Sequence, residues 1–348
     1  MPLPRHRYVH EGREAVYHCF SRCVRRAFLY GFDALTGRDF SHRKQWLVER
    51  LRYLAGIFAI DVCAYAVMEN HYHTILRIRP DIAGHWSDLE VATRWLTLFP
   101  RHYHMLSEPA PASEQDIRAL ADCPARIAEL RKRLCSLSWF MARLNEHIAR
   151  VANKEDDVKG RFWESRFKCQ ALLDEAAVAS CMVYVDLNPI RASLAACPEE
   201  SSFTSIQERI RAWRNETAAT APDADQPIPS GRFTESSSWL CPISTDSPRR
   251  GILRMTAIEY FDLVDRSGRM LRSDKRGSID VDLAPILLRI GAKPDAWLDT
   301  VSCFGSRFSL AAGLLSNLRT FAGQLSRHWL KGVVAARVAF ASSPHQFV

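Results

Sequence analysis

The sequence contains no apolar run approaching the length of a membrane-spanning helix, and its opening residues, MPLPRHRYVHEGRE, are polar and lack a signal-peptide core. A chain of this kind is expected in the cytoplasm, with no membrane partner. None of its 10 cysteines forms a C-x-x-C pair. Scattered in this way, several within expected helices or strands, they fit buried, reduced thiols better than a disulfide framework or a zinc knuckle. Acidic charge is in deficit, with 39 Asp and Glu against 47 Lys and Arg, a formal net charge of +8. With a pI near 9.0, the balance favours a polyanionic partner. What is present is ample for a core: 348 residues, more than one average domain, of which 47% are apolar.

The most informative stretch is CAYAVMENHYHTILRI, Cys63 to Ile78. Two β-branched and aromatic runs flank Glu69-Asn70, the pattern of two strands joined by a tight turn. Side chains alternate along a strand, so His71 and His73 leave one face of the sheet and Tyr72 the other. Two adjacent imidazoles can hold one divalent ion, with an oxygen donor still required from elsewhere. Histidines in strands are also common as plain core or surface residues. The second stretch is LDEAAVASCMVYVDLNPIRASL, Leu173 to Leu194. Asp174 caps a helix expected from Glu175 to Leu187, which Asn188-Pro189 ends. Tyr184 and Asn188 then share a face, with the Asn188 amide oxygen free to point outward as a metal donor and Tyr184 placed as a nucleophile. An aromatic core residue followed by a helix stop fits the same residues.

Four motifs in order, AVYHCFSR (Ala15 to Arg22), HYH, GRFWESRFK (Gly160 to Lys168) and YVDLNP with its following Arg191-Ala192, resemble the REP-associated tyrosine transposases of the HUH nuclease superfamily. The resemblance covers about Arg5 to Ser205. Glu69 stands where that family usually has proline, and Tyr72 where a smaller aliphatic is usual; neither change removes a functional atom.

The resemblance implies an α+β fold, a ferredoxin-like antiparallel sheet with helices packed on it; a mainly helical C-terminal extension is expected beyond the stretch that the resemblance covers. The resemblance also implies a metal-dependent single-strand endonuclease and strand transferase that cleaves DNA at hairpins of palindromic repeats through a 5′-phosphotyrosine. Tyr184, His71 and His73 are then the catalytic residues, and His71, His73 and Asn188 the ligands of Mg²⁺ or Mn²⁺. A monomer with the tyrosine acting in its own chain is the expected state. A catalytically silent hairpin-binding protein is the alternative. A relaxase is less well matched, because a third histidine and an N-terminal tyrosine are missing from the pattern.

Along the rest of the chain, residues 1–214 form the expected nuclease domain, 215–250 a linker rich in Ala, Thr, Ser, Pro and Asp, and 251–348 a helical accessory domain without a catalytic constellation. A helix is expected from Asp39 or Ser41 to about Ala55, another from Ile82 to His104, and a long helical tract from Ser113 to Asn153 with a break at Cys123-Pro124. The Arg and Lys residues of that tract read as a solvated face. In GRFWESRFK, cations interleave with aromatics. Guanidinium groups pair with phosphates, and an aromatic face stacked on an unpaired base contributes about 1–3 kcal/mol. Arg161, Arg166 and Lys168, together with Arg22 and Arg191, are the expected DNA contacts. Arg25, Arg26 and the basic run from Arg266 to Arg276 add positive charge. A capping box at Thr256 and Glu259 begins a helix in the C-terminal part, and three further helical pieces are expected at 283–290, 295–304 and 314–337.

Overall fold

The computed structural model describes residues 4–10, 12–24, 30–33, 37–100, 110–219, 239–272, 284–290 and 292–340. Arg25, Arg26, Lys275, Arg276, the end of the expected helix at His104 and most of the expected linker lie outside the described residues. In chain order the elements are β1 (Ala15–Arg22), β2 (Phe32–Asp33), β3 (Arg38–Asp39), α1 (Arg43–Ile57), β4 (Ile60–Val67), β5 (His71–Ile78), α2 (Pro80–His85) and α3 (Asp88–Leu98). There follow α4 (Glu114–Ala121), α5 (Pro124–Leu134), α6 (Leu137–Glu155), β6 (Lys168–Leu172), α7 (Glu175–Asp186), α8 (Asn188–Arg191) and α9 (Ser205–Ala219). The C-terminal elements are α10 (Ala257–Arg272), α11 (Ala284–Arg289), α12 (Trp297–Arg307), β7 (Ala311–Ala312), α13 (Leu315–Gln324) and α14 (Val333–Ala339).

The fold is α+β, with a five-stranded sheet in the order β4-β5-β1-β6-β7. Its first four strands follow the split β-α-β-β-α-β order expected of a ferredoxin-like sheet. β1 and β6 are antiparallel, and their register places His18 opposite Gln170 and Phe20 opposite Lys168. The fifth strand departs from the expectation: β7 pairs parallel with β6, so the sheet is mixed. A two-residue strand with no alternating pattern leaves no trace in the sequence.

The chain forms two compact units, one of Met1–Ala15, Trp46–Asp61 and Arg77–Phe162, the other of Val16–Gln45, Val62–Leu76 and Trp163–Val348. In the first, Leu51, Leu54, Phe58, Leu130, Leu134, Phe140 and Leu144 are buried, and Phe58 meets Phe140 edge to face at 5.4 Å. The expected break at Cys123-Pro124 separates α4 from α5. A second break, at Cys135-Ser136, was not expected; there the Ser136 hydroxyl accepts from Trp139 N and caps α6. The basic tract spends its charge internally, Arg131 on Asp88, Arg126 and Arg133 on Glu129, and Arg143 on Glu146.

In the second unit, α7 is buried on almost every side, as a helix with apolar residues all round must be, and it carries Ser180 and Asp186 into the interior. The Asp174 side chain accepts from Ala177 N and caps it. The other Asp174 oxygen accepts from Leu314 N and Asn317 Nδ2, and Leu173 N donates to Ala312 O. The segment after α12 is thereby tied both to β6 and to the start of α7. The expected box at Thr256 and Glu259 forms at the start of α10. The single helix expected over 314–337 is two, α13 and α14, parted by a turn at Gly332 with φ +118°. Arg43, a cation at the start of α1, is buried with its guanidinium 4.2 Å from the Phe40 ring centroid.

Candidate active site

The hairpin of β4 and β5 forms as the sequence indicates, closed by Met68 N donating to His71 O. The His71 and His73 rings lie together, centroids 5.0 Å apart and planes crossed at 84°, while Tyr72 points away and packs on Trp163 at 5.5 Å. His71 Nδ1 is 2.7 Å from Asn70 Oδ1, so with Nδ1 donating, its Nε2 carries the lone pair. His73 Nδ1 is 2.8 Å from His18 Nε2, and His18 Nδ1 is 3.3 Å from Gln170 Oε1. Burial, followed by the charge of Arg22, lowers the His71 pKa to about 4. Burial alone lowers that of His18 to about 4, against the smaller opposing effect of Gln170. His73 is driven well down by burial, reinforced by His18, His71, Arg22 and Arg191. All three imidazoles are therefore neutral at pH 7, the form that ligates a metal.

Tyr184 comes to the histidines from α7. Its ring stands edge to face 5.7 Å from His73 and 6.1 Å from His18. α7 stops at Asp186 with Leu187 as its C-cap, within one residue of the expected end, and Asn188 begins a further short helix, α8: Leu187 N donates to Val183 O, Arg191 N donates to Leu187 O, and the chain turns back into helical geometry after Leu187. The residue before a proline resists continuing a helix, but a proline in a first turn loses no bond, so the pair Asn188-Pro189 restarts one. The Asn188 side chain is buried, not directed outward as expected, and its amide nitrogen has no hydrogen-bond partner.

The C-terminal extension reaches this site through α12. Phe304 lies 6.0 Å from the Tyr184 ring, and a carbon added at Gly305 would come within 2.8 Å of the Tyr184 hydroxyl oxygen. Arg191 Nη2 donates to Ser302 O at 2.6 Å, and its guanidinium carbon is 4.9 Å from the Tyr184 ring centroid. Burial raises the Tyr184 pKa; the charge of Arg191 and the side chains of Arg191 and Asn188 oppose that rise.

Of the other cations expected at DNA, Arg22 acts electrostatically on both His71 and His73. Exposed Lys168 holds its Nζ 5.7 Å from the centroid of Phe20, a half-buried ring 5.5 Å from His73. Arg166 is exposed before β6. Arg161 is exposed too, but belongs to the other compact unit. The aromatics between them are less available than expected: Phe162 and Phe167 are buried, and Trp163 is half-buried against Tyr30 and Tyr72.

Among the described residues, no three His, Cys, Asp or Glu side chains are arranged to hold a metal ion. The set at hand is two imidazoles and an amide. The donor types suit a divalent ion: the neutral imidazoles of His71 and His73 lie side by side, and the Asn188 amide nitrogen is buried without a hydrogen-bond partner, so that rotation can present its oxygen instead.

No protein-family model and no curated protein match this chain. A solved structure is similar to part of this chain. It is that of a REP-associated tyrosine transposase bound to a REP hairpin, 13% identical, covering 61% of this chain and 86% of that one, with a TM-score of 0.32.

His18 and Gly305 were not picked out from the sequence as site residues. His18 sits in the quoted AVYHCFSR motif, alternating with Tyr17 and Cys19 on a strand, and a polar ring at a core position was the available signal. Gly305 carried no signal: a lone glycine in an apolar helix has many structural explanations.

Proposed function

We propose that this protein is a metal-dependent single-strand DNA endonuclease and strand transferase that acts at hairpins through a covalent tyrosine. The observation that carries the reading is Tyr184 standing against His73 and under Arg191, beside the His71 and His73 pair, within a sheet of the expected order. His71, His73 and Asn188 would hold Mg²⁺ or Mn²⁺, the nitrogen-rich set suiting Mn²⁺ better, and when bound there it would supply Lewis-acid polarisation of the scissile phosphate.

Tyr184 Oη attacks phosphorus. The phenol gives up its proton to solvent, a bond forms between Oη and phosphorus, the bond from phosphorus to the 3′ oxygen breaks, and the leaving oxygen takes up a proton from solvent as a 3′-hydroxyl. The 5′ side stays on Tyr184 as a phosphodiester, so attack by a second 3′-hydroxyl reverses the step and joins strands without a nucleotide cofactor. A free phenol has a pKa near 10, and Arg191 opposes the further rise that burial imposes. Arg22 and Arg191 set positive charge beside neutral imidazoles, and Lys168 adds to it over Phe20, which draws phosphate to the site.

The test is a labelled library of hairpin oligonucleotides with single-stranded flanks, incubated with Mg²⁺ or Mn²⁺ and wild type or Tyr184→Phe. A metal-dependent adduct on a denaturing gel, absent from Tyr184→Phe, is expected. Hairpin binding by both proteins without an adduct leaves the silent recognition module instead, and neither binding nor adduct overturns both.

A further inference from the structure

Three polar side chains stand in one row across three adjacent strands: Gln170 on β6, His18 on β1 and His73 on β5. The β1–β6 register sets the first two opposite each other, and a 2.8 Å contact between His18 Nε2 and His73 Nδ1 joins the second to the third, their rings nearly parallel at 21° with centroids 5.0 Å apart. All three are buried, His18 to 2% exposure, Gln170 to 4% and His73 to 5%. Polar groups this deep persist only where they are paired. Both nitrogens of His18 are engaged, one by Gln170 and the other by His73. His18 therefore has no lone pair left for a metal and is not a third ligand.

A neutral imidazole has one N–H and one lone pair, so a chain of two imidazoles and an amide has a single direction, fixed by one member. If Gln170 presents its carbonyl oxygen, His18 Nδ1–H donates to it, His18 Nε2 accepts, and His73 must donate from Nδ1. The Nε2 of His73 is then a lone pair. In the opposite direction Nε2 carries the proton and cannot ligate.

We infer that Gln170 and His18 are positioning residues that hold the ring of His73 and fix its Nδ1–H tautomer, leaving Nε2 as the donor to a divalent cation. The inference rests on the nuclease reading for what His73 holds, but the tautomer is a property of the metal-free protein. Partners of this kind behind a ligating histidine commonly affect metal affinity by about 10–100-fold when removed.

Two measurements on the full-length protein test it. The first is a long-range ¹H–¹⁵N spectrum of the imidazoles in metal-free protein, with His73 assigned by His73→Gln. The Nδ1–H tautomer is expected in wild type, and a mixture of tautomers in His18→Phe. The second is Mn²⁺ affinity by electron paramagnetic resonance. His18→Phe should weaken it about 10–100-fold, and Gln170→Leu, which leaves both imidazoles in place, should weaken it in the same direction. His18→Gln should recover most of it, because its amide oxygen accepts the same hydrogen bond. An Nε2–H tautomer in wild type, or wild-type Mn²⁺ affinity in His18→Phe, overturns the inference. If wild type binds no Mn²⁺, the metal reading falls while the tautomer still decides whether the chain runs in the stated direction.

Discussion

A carbon added to Gly305 would lie 2.8 Å from the hydroxyl oxygen of Tyr184, so a helix of the C-terminal extension is built against the proposed nucleophile itself. Gly305→Ala improves local helix propensity but forces the phenol or α12 to shift. Adduct formation should fall by about 100-fold, the scale of loss for a displacement near 1 Å at a reacting atom. Hairpin affinity and Mn²⁺ affinity should be unchanged. Single-turnover adduct kinetics beside a gel-shift titration separate the two, and wild-type kinetics would show that the contact does not position Tyr184.

Arg191 joins Tyr184 to the same helix, with its guanidinium near the phenol ring and bonded to Ser302 O. Because Arg191 opposes the upward shift that burial imposes on Tyr184, Arg191→Ala should move the Tyr184 pKa higher. The alkaline limb of the adduct-formation profile should move to higher pH, and the rate at pH 7 should drop. Arg191→Lys retains charge and should shift the profile less, although it loses the planar fork. A profile unmoved in Arg191→Ala would mean that the guanidinium does not stabilise the phenolate.

Metal binding should resist acid. An exposed imidazole of pKa near 6.5 is mostly protonated at pH 5.5, whereas burial and Arg22 hold His71 at about 4. Mn²⁺ affinity, read by electron paramagnetic resonance, should therefore change little between pH 7.5 and pH 5.5. It should be weaker in Asn188→Ala at both values. A loss of binding centred near pH 6.5 would contradict the burial of the pair.

Asp186, close behind Tyr184 on α7, is fully buried and accepts from Ser205 Oγ, Ile206 N and Tyr260 Oη. Burial raises its pKa from 3.8 to about 6 despite those bonds. A carboxyl whose folded pKa is raised contributes its stabilisation below its unfolded value and loses it as pH rises through the folded one. Its contribution should therefore decline between about pH 4 and pH 6, by about 3 kcal/mol on the conversion of 1.36 kcal/mol per unit. Asp186→Asn should flatten that part of the stability profile, measured by denaturant unfolding at several pH values. A difference between wild type and variant that is constant with pH would contradict it.

The parts of the fold that were legible in the sequence are those governed by local periodicity. The strand pattern around Glu69-Asn70 gave the hairpin and put His71 and His73 on one face. Asp174 gave the start of α7, whereas Asn188, expected on the same helix as Tyr184 with its amide outward, begins α8 with its side chain buried. What was not legible depends on contacts between distant segments. Ala311–Ala312 becomes a strand only because β6 offers it a free edge. The restart of helix at Asn188 depends on the bonds made across Leu187, which a rule about residues before proline does not contain. Arg43 is buried because Phe40 lies under it, and its charge alone indicated solvent. His18 becomes notable only when β1 is laid between β5 and β6, which bring His73 and Gln170 to its two nitrogens.

The most direct test of the covalent mechanism is peptide mapping of the protein after reaction with a hairpin substrate and Mn²⁺. A single modified peptide is expected, carrying nucleotide through a phosphodiester on Tyr184, absent when EDTA is present and absent from His73→Ala. Attachment at another tyrosine, or an adduct indifferent to EDTA, would contradict the assignment of this site.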